Sequence, residues 1–304
     1  MGIFQRMFGE SDEENNNRAK AGQDEHPGKT RELPNNTRQL PTEDVFALGN
    51  THLIFGQATD VGQRRQENED SVYSSLSANH CNDDLPDFGL FIVADGMGGH
   101  EHGKLASSTV ARTVAAEVTR KVFVPMLSGE ASNIPPLTEA LVHAVEAANN
   151  RVYQNLPERC GTTCTAVAMQ GDRAYVAHVG DSRVYIITKD DIEQLTRDHS
   201  VVQRLIEVGQ LKREEAAGHP RSSELYRVVG FNATVEVDVM SRRLPPHSSL
   251  LVCSDGLWNM VDEATIHSIV NSTPDVQLAC QKLVAMANVN GGEDNVSVIL
   301  LRNG

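Results

Sequence analysis

The amino-acid sequence predicts an α+β fold, because strand patterns occur in clusters and helical patterns occur in pairs between those clusters. Two β-type runs, at 53–59 and 71–76, precede a continuous apolar strand at 88–94. Small and apolar residues then recur at three- and four-residue spacing, which predicts long helices over 103–122 and 137–156. Clustered strands and paired helices indicate antiparallel sheets rather than a repeated strand–helix–strand unit.

The second half of the sequence continues this pattern in shorter elements. Three predicted strands, separated by Gly-Asp turn signals, form an antiparallel meander at 162–169, 174–179 and 184–188. Two short helices are predicted next, at 198–209 and 212–217. The remaining predicted elements are strands at 234–241, 249–253 and 295–301 and helices at 262–271 and 274–287.

The composition indicates one globular domain preceded by a polar tail. The chain has 304 residues, of which 39% are hydrophobic, enough for a substantial core. Residues 1–50 are rich in Asn, Glu, Gln and Pro, so we expect a disordered tail there and a single domain over 51–304. The apolar residues within 3–8 are either a docking point or part of a frayed terminus.

Charge and cysteine content narrow the classes of function. The chain carries 27 Lys and Arg against 41 Asp and Glu, a formal charge of −14, which disfavours a nucleic-acid partner. There is no run of about 18 apolar residues and no signal peptide, so we expect a cytoplasmic protein without membrane attachment. The five cysteines are odd in number and lack Cys-x-x-Cys spacing, which is typical of reduced thiols.

Three aspartates stand at the edges of apolar strands. Asp95 and Asp255 closely follow predicted strands, and Asp294 precedes the last one. Each carboxylate is thereby fixed on a rigid support, and the glycine after Asp95 and after Asp255 leaves a backbone carbonyl open to a ligand. Like charges converge only around a cation, because they would otherwise raise one another's pKa and take up protons. An all-oxygen ligand set suits magnesium or manganese rather than zinc.

A pair of such cations suits the hydrolysis of a phosphate ester. Two divalent ions about 3.5–4 Å apart lower the pKa of a metal-bridging water, orient it for in-line attack and offset charge on the phosphoryl oxygens. Nucleophilic catalysis by a side chain has no candidate, since no cysteine lies in a phosphate-binding loop and no Asp-x-Asp pair occurs. The residues alone therefore predict a divalent-metal site that acts through water.

Six short segments give this site a more specific meaning. They are Asp-Val-Gly-Gln-Arg-Arg-Gln-Glu-Asn-Glu-Asp at 60–70, Val-Ala-Asp-Gly-Met-Gly-Gly-His at 93–100, Gly-Thr-Thr at 161–163, Val-Gly-Asp-Ser-Arg at 179–183, Cys-Ser-Asp-Gly-Leu-Trp at 253–258 and Gly-Gly-Glu-Asp-Asn-Val at 291–296. In content and order they resemble the motif series of the metal-dependent protein phosphatases, the type 2C or PPM family, in its bacterial branch. One such motif is weak, whereas the ordered series over 53–302 is highly specific.

The resemblance implies a four-layer α/β/β/α sandwich, with two antiparallel sheets face to face, helix pairs outside and a metal site at one end of the sheets. It also implies that two Mn²⁺ or Mg²⁺ ions are bound by Asp70, Asp95, the Gly96 carbonyl, Asp255 and Asp294. Asp181 matches a position that binds a third, weaker cation shared with Asp255.

The same resemblance assigns roles to neighbouring residues. Arg65 matches the arginine that binds the substrate phosphate, a task for which its bidentate guanidinium is suited. Glu69 is expected to support the adjacent aspartate rather than bind metal directly. Asn295 is expected to brace the loop before it, and Ser182 and Arg183 to be structural parts of the Gly-Asp-Ser-Arg turn.

The group that protonates the leaving oxygen stays open at this point. Many eukaryotic members of the family have a histidine directly after the Asp-Gly pair, where this chain has Met97, which cannot donate a proton. Two candidates are left, namely His100 and a water on the third cation.

The segment 196–224 resembles the flap that lies beside the metal site in bacterial members of the family. Its His-Pro-Arg-Ser sequence at 219–222 places the arginine one position earlier than the usual His-Pro-x-Arg. Ser223 lies near the flap position that touches the third cation in some relatives. His199 and His219 are expected to be turn or helix-cap residues rather than ligands.

The sequence therefore predicts a protein serine/threonine phosphatase that hydrolyses phosphoserine and phosphothreonine on proteins by means of metal-activated water. Its expected partners are phosphorylated proteins, including a bacterial serine/threonine kinase that it opposes, and it is expected to be a monomer. The alternative is a catalytically silent pseudophosphatase that binds phosphoproteins. Such a protein would show substitutions among the ligands, whereas all four aspartates and Arg65 are present here.

Overall fold

The computed structural model describes residues 53–78, 85–98, 101–130, 134–156, 160–212, 215 and 219–303. The predicted tail and its apolar patch therefore lie outside the described residues, as does most of the helix predicted over 212–217. None of the helices in the described ranges is both long enough and apolar enough to cross a membrane.

Strands and helices alternate in clusters, as the sequence predicts. The strands are β1 (Leu53–Asp60), β2 (Ser71–Ser77), β3 (Phe88–Ala94), β4 (Gly96–Met97), β5 (Gly161–Thr162), β6 (Cys164–Gln170), β7 (Arg173–Val179), β8 (Arg183–Ile187), β9 (Ile192–Gln194), β10 (Asp238–Arg243), β11 (Ser249–Cys253) and β12 (Val296–Asn303). The helices are α1 (Glu101–Val118), α2 (Val124–Leu127), α3 (Leu137–Asn155), α4 (Val201–Glu207), α5 (Asp255–Trp258), α6 (Glu263–Ser272) and α7 (Val276–Val289). A π-helical turn at Thr119–Phe123 joins α1 to α2.

Most strands of the described residues belong to two antiparallel sheets of five strands each. Sheet 1 has the order β1-β12-β11-β8-β9, and sheet 2 has the order β10-β7-β6-β3-β2. A small third sheet pairs β4 with β5. Because β12 lies between β1 and β11, the first and last described strands are neighbours in sheet 1.

Sheet 2 buries both of its faces, as β3 shows. Every residue of β3 is buried, and successive side chains point to opposite faces. Leu90 and Ile92 belong to an apolar core shared with α1 and α3, whereas Phe91 and Val93 belong to a second core shared with sheet 1. The near-continuous apolar sequence of this strand is therefore a consequence of its burial on both sides.

Sheet 1 has a third core on its outer face. There Leu251 and Leu300 cluster with Ile266 of α6 and Leu283 of α7. The order of layers is thus helices, sheet 2, sheet 1 and helices. The predicted four-layer α/β/β/α sandwich is confirmed.

Two predicted elements differ from the observed ones for local reasons. The strand predicted over 234–241 is β10, because pairing with β7 begins only at Asp238. The helix predicted over 198–209 is the shorter α4, since Ser200 caps it by accepting a hydrogen bond from the Gln203 amide at 3.2 Å. The short elements β4, β9, α2 and α5 are not predicted by the sequence patterns.

The described cysteines are Cys160, Cys164, Cys253 and Cys280, all of them buried free thiols, while Cys81 lies outside the described residues. Burial raises the pKa of Cys164 and of Cys253 to about 12. Neither group is a thiolate at neutral pH, and the free thiols agree with the prediction of reduced cysteines.

Gly56 of β1 provides a test of the packing between sheet 1 and α7. A Cβ at this position would lie 2.7 Å from backbone atoms of Val276 and Gln277, at the start of α7. Because backbone cannot yield as a side chain can, we expect Gly56→Ala to lower the free energy of unfolding by about 1–3 kcal/mol. Urea denaturation measures this change.

The control for this experiment is Ile54→Ala in the same strand, where the side chain is 46% exposed. We expect this substitution to change the free energy of unfolding by about 0.5 kcal/mol or less. Equal midpoints for Gly56→Ala and the wild type would contradict the close approach of β1 to α7.

Candidate metal centre

The aspartates predicted to bind metal lie at strand ends on one side of the two sheets. Asp70 directly precedes β2 and Asp95 directly follows β3, its neighbour in sheet 2. Asp255 begins α5 close after β11, and Asp294 lies just before β12, its neighbour in sheet 1. Asp181 lies in the turn between β7 and β8, where the chain passes from sheet 2 to sheet 1.

These strand ends surround a cavity of about 250 Å³. Its lining includes Asp95, Asp181, Asp255 and Asp294, together with Gly96 and Arg65. Asp70 lies behind this lining and is only 9% exposed, with Ser254 Oγ donating a hydrogen bond to its Oδ2 at 2.8 Å. The structure thus brings together the residues that the sequence assigned to the site.

Asn295 ties the loop 61–70 to the start of β12. Its side chain makes three hydrogen bonds of 2.8–2.9 Å to backbone atoms, namely Val61 O, Glu67 O and Glu69 N. We expected Asn295 to brace the loop before it, and its amide does donate to Asp294 Oδ1 at 2.8 Å. Its side chain, however, holds the facing loop, which carries Arg65.

The Asp95–Gly96 segment is held by Thr163, which directly follows β5, and by the start of α1. Thr163 Oγ1 accepts from the Asp95 amide at 2.9 Å, and the Thr163 amide donates to the Asp95 carbonyl at 2.8 Å. A Cβ on Gly96 would lie 2.3 Å from the Gly103 carbonyl oxygen. Only glycine allows helix α1 to begin this close to the cavity.

The turn that carries Asp181 is held in a similar way. Trp258 Nε1 donates to the Asp181 carbonyl at 3.1 Å, and Arg183 lies 3.6 Å above the Trp258 ring. Arg183 also donates from Nε and Nη2 to the Asp198 carboxylate, and Ser182 Oγ contacts Thr163 Oγ1 at 2.8 Å. These contacts suit the structural roles expected of Ser182 and Arg183.

Burial and mutual repulsion raise the pKa values of the clustered carboxyl groups. Burial is the main cause for Asp70, whose pKa rises to about 7, and for Asp255, whose pKa rises to about 6. Burial, followed by neighbouring aspartates, also raises the pKa of Asp95 and of Asp181 well above the usual range. Without a cation, the cluster therefore retains protons near neutral pH.

The donor set fits divalent cations. Asp70 Oδ1 and Asp255 Oδ1 are buried and have no hydrogen-bond partner among the described residues. Such oxygens cost free energy unless something satisfies them, and a hard cation satisfies carboxylate oxygens directly. Among the described residues, no group of three or more His, Cys, Asp or Glu side chains is arranged closely enough to form a closed metal-binding set. Arg65 Nη2 lies 2.6 Å from Asp294 Oδ2. The cluster is therefore open, with Arg65 neutralising one of its members.

Other predicted residues have less direct positions. Glu69, Met97 and Ser223 line the cavity. His219 Nδ1 accepts from a backbone amide two residues later at 3.2 Å, as expected of a turn residue. His100, one of the two candidate proton donors, lies outside the described residues.

Three contributors to the site received no role from the sequence. Thr163 and Trp258 lie within the quoted motifs, so their membership of those motifs could have marked them as parts of the site. Leu225 lines the cavity but belongs to no motif, and only the fold brings it there.

Comparisons with known proteins give the same picture over most of the chain. The family described as protein phosphatase 2C matches residues 56–205. The serine/threonine phosphatase Stp of Listeria innocua is 34% identical over 248 residues, which cover 80% of this chain and 93% of that protein. The chain belongs to the protein phosphatase 2C family.

Solved structures of related phosphatases share the fold. The serine/threonine phosphatase PstP/Ppp of Mycobacterium tuberculosis superposes with a TM-score of 0.70 at 32% identity, covering 82% of this chain and 98% of that one. The catalytic domain of PstP in complex with two manganese ions gives a TM-score of 0.67 at 30% identity, covering 82% of this chain and 97% of that one. The predicted family, its bacterial relatives and its metal-dependent phosphatase activity are confirmed.

The raised pKa values predict that metal binding to this phosphatase releases protons. A carboxyl group must lose its proton to bind a cation. Asp70 and Asp255 have pKa values of about 7 and about 6, so we expect them to give up protons if manganese binds there at a pH below those values. As the pH rises through this range, the two carboxyl groups are already deprotonated before the metal binds, so the apparent affinity for Mn²⁺ increases.

Calorimetric titrations with Mn²⁺ in buffers of different ionisation enthalpy measure this release. We expect more protons per bound ion at about pH 6 than at about pH 8.5. Equal proton release at the two pH values would contradict the raised pKa values of the metal-free site.

Proposed function

We propose that this phosphatase hydrolyses phosphoserine and phosphothreonine on proteins, with Asp70, Asp95, the Gly96 carbonyl, Asp255 and Asp294 holding two divalent cations. The observation that carries the proposal is the convergence of buried carboxylates, two with unpartnered oxygens, at one end of both sheets. When bound, the cations supply a water of lowered pKa and positive charge opposite the phosphoryl oxygens. Manganese is the ion to test first, since a related structure contains it.

Arg65 supplies the contact to the phosphate. Its side chain is 53% exposed and pairs with Asp294 at the cavity. Cations held by the aspartates would take over the neutralisation of Asp294, which leaves the guanidinium free for two parallel hydrogen bonds to phosphate oxygens. The loop 61–70 is positioned for this by Asn295.

Asp181 is the proposed ligand of a third cation, shared with Asp255. Its carboxyl group is buried beside that of Asp255, and the charge of Asp255 is the largest charge effect on the pKa of Asp181.

Met97 lies in the cavity lining but has no proton to transfer, so the leaving oxygen must be protonated by another group.

The proposed substrates include a serine/threonine kinase that the phosphatase opposes, and the proposed working form is a cytoplasmic monomer. Support for protein substrates comes from the relatives, which carry the name serine/threonine phosphatase. Arg65 lines the cavity and its side chain is half exposed, which leaves it accessible to a phosphorylated side chain on a larger partner.

The aspartates provide the decisive test of the site. We expect Asp95→Asn and Asp255→Asn each to lower the manganese-dependent kcat/KM for a phosphothreonine peptide by more than about 100-fold, because each removes a charged ligand. Phosphate release from the peptide is the measurement.

Asp190→Asn, at an exposed position between β8 and β9, is the matched control and should retain wild-type activity. Near-full activity of either site variant would overturn the ligand assignment. A folded wild type that binds the phosphopeptide with manganese but releases no phosphate would instead favour the pseudophosphatase.

Arg65→Lys tests the phosphate contact. Lysine keeps the charge but loses the planar pair of donors, so we expect KM for the phosphopeptide to rise by about tenfold while kcat changes less. Arg64→Lys, at the adjacent exposed residue, is the control. An unchanged KM for Arg65→Lys would exclude a bidentate phosphate contact.

A further inference from the structure

His199 lies at the base of the segment 196–224 and is completely buried. The sequence suggests a turn or cap residue there, yet the cap of α4 is Ser200, the next residue. The His199 side chain instead points to the end of β7, where Gly180 directly precedes Asp181.

His199 contacts the Gly180 backbone at two points. The His199 amide donates to the Gly180 carbonyl at 2.7 Å, and the Gly180 amide donates to His199 Nδ1 at 3.1 Å. An amide can only donate, so Nδ1 must be the unprotonated nitrogen of a neutral ring. The ring proton is therefore on Nε2, which donates to Asp238 Oδ2 at 3.1 Å. Arg227 Nη1 also lies 3.2 Å from Nε2, but an arginine can only donate, so with this tautomer it bonds Asp238 instead.

Asp238 is itself held in place. Arg227 NH1 donates to Asp238 Oδ1 at 2.6 Å, and burial lowers the pKa of His199, which keeps the ring neutral. A carboxylate bound to one ring nitrogen of a histidine commonly fixes its tautomer and thereby orients the ring toward the partner of the other nitrogen. Here that group is the backbone beside Asp181.

The Gly180 backbone has little freedom to adjust on its own. Its φ is +114°, a conformation that favours glycine, and a Cβ there would lie 2.5 Å from Thr163 Cγ2. On the other side, Trp258 Nε1 donates to the Asp181 carbonyl. The peptide group before the Asp181 α-carbon is therefore held by the backbone amide of His199, and the one after it by Trp258. The His199 ring holds the next peptide group back, through the Gly180 amide.

His199 also joins the two ends of the segment 196–224. Its carbonyl accepts from the Tyr226 amide at 2.9 Å, and the Val201 amide donates to the Glu224 carbonyl at 2.8 Å. Ser223 and Leu225, next to this junction, line the cavity. One residue thus links the turn of Asp181 to the segment that faces it.

We propose that His199, oriented by Asp238, is a positioning residue that holds the Asp181 carboxylate in place for the third cation. This inference rests on the proposed function of Asp181 and deepens it. His199 does not touch the cation or the substrate, and it acts through the backbone of Gly180.

A titration of Mn²⁺, with the free ion followed by electron paramagnetic resonance, tests the proposal. For the wild type we expect two tighter ions and one weaker ion per chain. His199→Ala should weaken the third ion by about 10–100-fold, as is usual when a supporting residue of a metal site is removed, and leave the tighter pair unchanged. His199→Asn should restore much of the third binding, because its Oδ1 reaches the position of Nδ1 and accepts from the Gly180 amide.

Arg302→Met controls for lost stability alone. Arg302 lies at the far end of β12 and donates to the backbone carbonyls of Val270 and Thr273, away from the cavity. We expect this variant to unfold more easily but to bind all three ions as the wild type does.

The proposal would be overturned if His199→Ala bound all ions as tightly as the wild type does. It would also be overturned if Arg302→Met weakened binding of the third ion to the same degree, or if the wild type bound no third, weaker ion. If the wild type binds three ions but hydrolyses no phosphopeptide, the proposed activity fails, whereas the binding comparison still decides the role of His199.

Discussion

Buried carboxylates at the ends of two facing sheets repel one another, and their burial alone already favours the protonated forms. In this chain the two effects raise the pKa of Asp70 to about 7. The Oδ1 atom of Asp70 also has no hydrogen-bond partner among the described residues. A cluster of this kind is stable as a charged group only with cations. The surrounding elements can be understood as the means of keeping these carboxylates together despite that cost.

The supports come from every layer of the sandwich. Sheet 2 places Asp95 at the end of a strand buried on both sides, and sheet 1 places Asp255 close after a strand in the core against α6 and α7. Side chains then tie the loops to these rigid strands: Asn295 holds the loop of Arg65, and Trp258 holds the turn of Asp181. Rigid placement of like charges costs stability but prepares the site for ions.

The sequence predicted the fold well and indicated the strand ends at which the aspartates lie, because both depend on local patterns. Apolar strands that end in Asp-Gly marked Asp95 and Asp255, and the order of motifs identified the family. Contacts between distant segments could not be read in this way. The Arg65–Asp294 pair joins residues 229 positions apart, and Leu225 reaches the cavity only through folding. The tautomer of His199 follows from a backbone amide, which no residue pattern specifies.

The position of β12 inside sheet 1 has a consequence for how this site comes into being. Asp294 and Asn295 directly precede β12, and that strand pairs on one side with β1, the first described element. Contacts of such large sequence separation form late because long loops must close first. During synthesis on the ribosome, Asp294 therefore joins the other clustered aspartates only after β12 has emerged. A chain released before that point would expose unpaired edges of β1 and β11, which makes it a target for chaperones and proteases.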